Sequence, residues 1–91
     1  GITSNGDGIL TFPAELRPDE VRDRAGVRVP QGDVYDTVGG YVMSVLERVP
    51  SVGDEVPLDS GILQVVRMDG RRVDRVRYVP SSLDGGEEAT R

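Results

Sequence analysis

Ninety-one residues make one small domain, able to bury only roughly 60–65% of its unfolded surface, and its four aromatic residues (Phe12, Tyr35, Tyr41, Tyr78) leave the core to Val, Leu and Ile. The chain has no Cys, no His and no Lys, and all 11 of its cations are Arg, which excludes a disulfide framework, a thiolate nucleophile, an imidazole base or ligand and a Schiff-base amine. A net charge of −5 argues against nucleic acid as a partner, and no apolar run approaches the ~20 residues of a membrane-spanning helix.

In chain order, residues 1–7 are expected to be a linker or excised edge, and Asn5-Gly6-Asp7-Gly8 carries a turn signal. Ile9 to Phe12 is a short strand that Pro13 ends or confines to an edge. Pro18 suits a first helical position, with Asp19 and Glu20 at the positive end of the helix dipole and Gly26 as its stop. Leu16, Val21 and Ala25 share one face of that helix. Residues 27–35 form a connector whose turn formers are Pro30, Gly32 and Asp33, with Val27 and Val29 packed beneath.

A second helix starts at an Asp36 or Thr37 cap and keeps its period through Val38, Val42, Val45, Leu46 and Val49, ending at Pro50. Gly39 and Gly40 in its first turns each cost up to ~1 kcal/mol relative to Ala, so they ask for a reason. The remainder reads as β. Residues 55–59 alternate, with Pro57 marking an edge. A turn at Asp59-Ser60-Gly61 leads into the apolar strand 62–68, and Asp69-Gly70 predicts a two-residue type I′ turn into the strand 71–79. Val73 and Val76 are three apart, which predicts a β-bulge near Asp74-Arg75 or one valine outside the core. Residues 80–91 are expected to be a disordered acidic tail.

Three constellations could carry chemistry. Gly39 and Gly40 at a helix N-terminus can expose amide N–H groups to an anion; close packing against the sheet or the other helix is the competing use and the stronger expectation. Asp33, Asp36, Asp54 and Glu55 flank the second helix, yet match no cation-binding loop, and no metal or catalytic residue is assigned. Between residues 64 and 79, five arginines (67, 71, 72, 75, 77) face Asp69 and Asp74, a local net of +3, which leaves −8 on the rest of the chain. Such a cationic hairpin suits an acidic partner or a phosphate. Gly39, Gly40, Arg72 and Arg75 are the candidate ligand-binding residues, and no cofactor is assigned.

The run from Asp36-Thr37-Val38-Gly39-Gly40-Tyr41-Val42 through Leu46-Glu47-Arg48-Val49-Pro50 to Val52-Gly53-Asp54-Glu55-Val56, followed by the hairpin Asp69-Gly70-Arg71-Arg72-Val73, resembles the CorC/HlyC transporter-associated domain over residues 8–79. The segment before the first helix departs from the family's usual aromatic-rich pattern. The resemblance implies an α+β fold with two helices on one face of a small antiparallel sheet, akin to part of the vanillyl-alcohol-oxidase-type FAD-binding fold. It also implies a non-catalytic regulatory domain on the cytoplasmic face of a magnesium and cobalt efflux or hemolysin-like protein. The partners implied are a CBS-domain pair and a membrane domain of the same polypeptide, with a second copy of the chain or an adenine nucleotide as further options. The alternative function is a nucleotide- or anion-binding module using the Gly39-Gly40 helix end and the arginine hairpin.

Overall fold

The computed structural model describes residues 1–81. Its elements run β1 (Thr3–Ser4), β2 (Leu10–Pro13), α1 (Pro18–Ala25), α2 (Val38–Leu46), β3 (Glu55–Leu58), β4 (Gly61–Asp69) and β5 (Arg72–Pro80). The strands form one sheet in the order β1-β2-β5-β4-β3. Every pairing is antiparallel. This is the α+β arrangement expected, with two differences at its margins. Thr3–Ser4, inside the stretch assigned to a linker, pairs with Thr11 and Leu10 across the Asn5–Gly8 turn. Pro80, assigned to the tail, closes β5 opposite Gly61. The rest of the tail, residues 82–91, lies outside the described residues.

The core forms on one face of the sheet. Phe12, Val56, Leu63, Val65, Val73, Val76 and Tyr78 from the strands meet Val21 of α1 and Val38 and Val42 of α2 in one cluster, with Val27 and Val29 of the connector packed as expected. Burying each Val, Leu or Phe contributes about 1.5–3 kcal/mol relative to exposure, so these ten strand and helix residues dominate the stability of the domain.

Both helices start where their residues dictate. In α1, Pro18 takes the first position, Glu20 Oε1 accepts the Arg17 N–H at 2.9 Å, and Gly26 ends the helix at φ 73°. In α2 the cap is Thr37, whose Oγ1 accepts the Gly40 N–H at 3.1 Å. The helix then stops at Leu46, well short of Val49 and Pro50. Glu47 takes a left-handed conformation at φ 58°, and its N–H returns to Met43 O at 2.8 Å. The expected face holds at Val38, Val42 and Leu46, which meet the core, and fails at Val45 and Val49, which are exposed; Gly39 completes the buried stripe. What replaces the last turn is a loop organised by Asp54. Its Oδ2 accepts from Arg48 Nη1 at 2.9 Å and from the Ser51 N–H at 2.8 Å. The Arg48 side chain, aided by that amide, holds the Asp54 carboxyl below its ordinary range.

The β4–β5 hairpin differs from expectation in its turn. Asp69 pairs with Arg72, so the loop residues are Gly70 and Arg71. Positive φ falls on Gly70 alone (63°), the type II′ pattern in place of I′. The register is irregular on both strands: Val65 faces Val76, Arg67 faces Arg75, and Met68 faces Val73. Asp74 is therefore the extra residue on β5, close to where the valine spacing predicted it, and Val66 is a matching extra residue on β4 that was not anticipated. Val73 and Val76 both remain in the core.

Candidate functional site

The two glycines of α2 are spacers in the packing. A side-chain carbon on Gly39 would lie 3.2 Å from Ala14 Cβ and 3.3 Å from Val73 Cβ; one on Gly40 would lie 2.8 Å from Tyr35 Cβ. Gly39 thus lets α2 approach β5 and the β2–α1 corner. Gly40 makes room for Tyr35, which stacks edge-on against Tyr41 at 5.5 Å and donates its hydroxyl to Pro30 O at 2.6 Å.

The same end of α2 spends its amides internally. Val38 N–H donates to Leu16 O and Gly39 N–H to Ala14 O, each at 2.9 Å. Gly40 N–H goes to Thr37 Oγ1, and Tyr41 N–H to Thr37 O at 3.0 Å. A helix N-terminus attracts an anion through free N–H groups and its dipole together. Here the dipole remains and the donors are taken.

A groove of about 270 Å³ nevertheless opens beside this helix end, lined by Ala14, Glu15, Thr37, Gly39, Gly40, Met43, Arg72 and Val73. Three of the four candidate residues, Gly39, Gly40 and Arg72, therefore meet at one place. Arg75 does not join them. It lines a separate hollow with Pro13, Glu15, Arg72, Val73 and Asp74. Glu15 borders both spaces and was not anticipated; its place comes from the β2–α1 corner, which no local pattern announces. The carboxylates considered at the sequence level do not converge: among the described residues no group of three or more His, Cys, Asp or Glu is placed to hold a metal ion.

The electrostatics single out the hairpin. Arg17, Arg22, Arg24, Arg48 and Arg67 each have a carboxylate partner, Arg67 through Asp74 Oδ2 at 3.1 Å beside the irregular register. Arg71, Arg72, Arg75 and Arg77 make no ion pair among the described residues, although Arg77 Nη1 donates to Gln64 Oε1 at 3.2 Å. Four of the unpaired cations thus sit on one strand and its turn, two at the tip and two along the sheet. Side chains in such a position keep their full charge for a partner. No helix among the described residues is long and apolar enough to cross a membrane.

Comparison with known proteins places this arrangement. The chain is 26% identical over 87 residues to the UPF0053 protein YegH of Escherichia coli, an alignment covering 96% of this chain and 16% of that protein. It is 33% identical over 76 residues to the UPF0053 protein MT1890 of Mycobacterium tuberculosis, covering 70% of this chain and again 16% of the relative. The chain therefore spans about a sixth of the length of these curated relatives. The fold matches the transporter associated domain of a CBS domain protein from Porphyromonas gingivalis at a TM-score of 0.73 and 25% identity, over 87% of this chain and 95% of that one. The CorC_HlyC family model, described as the transporter associated domain, matches residues 3–82, and the chain belongs to that family.

Proposed function

We propose that this chain is a non-catalytic regulatory and interaction domain of a larger CorC/HlyC-like membrane protein, of the magnesium and cobalt efflux or hemolysin-like kind. It sits on the cytoplasmic face and modulates ion transport by contact with the CBS-domain pair and membrane domain of the same polypeptide. One observation carries this reading. Four arginines of the hairpin and β5 have no carboxylate partner among the described residues, while the N-terminal amides of α2 are consumed internally. The P. gingivalis structure, a domain of a CBS domain protein, supports the choice of partner. Reversing Arg72 and Arg75 to Glu should weaken association with the CBS pair at least tenfold, measured by calorimetry at low salt, where charge contacts are least screened. Unchanged association would overturn the hairpin as the contact.

The groove that gathers Gly39, Gly40 and Arg72 supports a second reading, an anionic small ligand such as an adenine nucleotide. The occupied amides weigh against it. A bound ligand raises stability by RT ln(1 + [L]/Kd), so a melt against ATP, AMP, FAD and Mg²⁺ decides between the two. The first reading expects no shift at millimolar ligand. The FAD-binding-type fold that the family resemblance implies adds no FAD site to this proposal, since a 91-residue chain is too small to enclose that cofactor alone.

A further inference from the structure

The sheet has a second face. The core residues of β4 and β5 leave Ile62, Gln64, Val66, Arg75, Arg77 and Val79 pointing the other way, outside the cluster that holds both helices. Among the described residues no helix lies over them, and Val52 and Gly53 of the loop before β3 border only Gln64, Val66 and Arg77. The strand register orders this face into rows. Glu55, Gln64 and Arg77 lie side by side on β3, β4 and β5, and Pro57, Ile62 and Val79 form the next row. The first row therefore carries an acid on one side of β4 and a cation on the other, and the second row is apolar throughout. Glu55 and Arg77 each lack an ion pair among the described residues.

We propose that this face pairs with itself. Two copies of the chain stack sheet on sheet about a two-fold axis that lies between them and runs along β4. An axis parallel to the strands preserves each row and exchanges β3 with β5. Glu55 of each copy then faces Arg77 of the other, Pro57 faces Val79, and Gln64 and Ile62 sit on the axis against their own counterparts. Stacked sheets lie about 10 Å apart with strands within about 30° of alignment, a spacing that long side chains such as Arg and Glu bridge. An isologous contact needs a self-complementary patch, and this row arrangement supplies one. The alternative axis, across the strands, would set the Arg67–Arg75 row over the apolar row and pair no charges.

The area indicates the strength. With the axis on β4 only β3, β4 and β5 overlap, and three strands about 4.8 Å apart and roughly six residues long give on the order of 300 Å² per copy, about 600 Å² in all. That is below the usual range of stable specific interfaces, so the dimer is weak, leans on its charge pairs and exchanges with monomer. The contact proposed above is tested at Arg72 and Arg75; Arg75 shares this sheet face but lies outside the Glu55–Gln64–Arg77 row, and neither residue is changed in the test of the dimer.

Sedimentation of the 91-residue chain from about 1 to about 500 µM tests this directly, in low salt where the charge pair is least screened. The expected result is a reversible dimer at the upper end. Arg77→Glu or Glu55→Arg alone, each placing like charges face to face, should raise the dissociation constant at least tenfold. The double variant carrying both exchanges the charges and should restore the dimer. A monomer at every concentration overturns the proposal. So does a dimer indifferent to either reversal, or one that the double variant fails to restore. Glu55 is exposed and Arg77 half-buried, so a melting curve for each variant separates lost pairing from lost folding.

Discussion

Gly39 shows how one absent side chain decides a neighbourhood. Ala14 Cβ and Val73 Cβ stand 3.2 and 3.3 Å from where its β-carbon would be, both are buried, and neither atom can rotate away from its own backbone. Gly39→Ala adds a better helix former, worth up to ~1 kcal/mol, but overpacks a contact that costs typically 1–3 kcal/mol. The net expected is a loss of about 1–2 kcal/mol in urea denaturation. Arg72→Ala, in the same groove but exposed and without an ion pair among the described residues, should shift stability by no more than about 0.5 kcal/mol. A glycine whose role was anion binding would show the reverse, a stable alanine variant with altered binding. Glu47 is the opposite kind of residue, a side chain held at φ 58° where glycine is the usual choice. Its conformation ends α2 early, and no residue type at that position announced it.

At the scale of elements, the β4–β5 hairpin turns on a spacing of three. Val73 and Val76 are three apart, and so are Val65 and Met68, which face them. In a regular strand two residues three apart point to opposite faces. All four are nevertheless on the core side. One extra residue on each strand, Val66 and Asp74, inverts the alternation of both strands together and leaves the pairing on either side unchanged. The β5 irregularity was legible from the valines; the β4 partner was legible too, in Val65 and Met68, had the two strands been read as one ladder. The early stop of α2 was not legible. It depends on the loop that Asp54 ties to Arg48 and Ser51, contacts that form only after the chain has turned. The groove beside Gly39 was half legible: the glycine pair and Arg72 were visible as isolated features, and only the packing of the β2–α1 corner brings Glu15 between them. Deleting Val66 or Asp74 singly should destabilise the domain by mismatching the hairpin. Deleting both restores plain alternation with the same residues inward, so the double deletion should melt at a higher temperature than either single one. A double deletion no better than the singles would show that the contacts of Asp74, to Arg67 and to the Ala14 amide, outweigh the phase argument.

The molecule as a whole is two-sided. One sheet face carries both helices and the core, and the other presents ordered rows of charge and apolar groups. Its charge is divided along the sequence too, with hairpin arginines that make no ion pair among the described residues and a remainder that is strongly acidic. Its exposed sheet edge is blunted as well. The hydrogen bond from Val65 N–H to Asp54 O at 2.8 Å sets the phase of the β3–β4 ladder, so that Val56 and Leu58 turn their amides inward and position 57 faces out. Proline there removes an outward donor. The junction that joins the two layers has a consequence in time. Helices ordinarily fray at the first turn, where amide protons have no intrahelical acceptor and trade with water within the shortest openings. In α2 the Val38 and Gly39 amides are instead bonded to carbonyls of the β2–α1 corner and are buried beside Phe12 and Val73 in the core. Their protons can leave only when helix and corner separate. By hydrogen–deuterium exchange they should rank among the slowest in the chain, reporting global opening, while the amide of Gly70, in the exposed hairpin turn, trades early. The end of the helix that should be the quickest clock in the domain becomes one of its slowest.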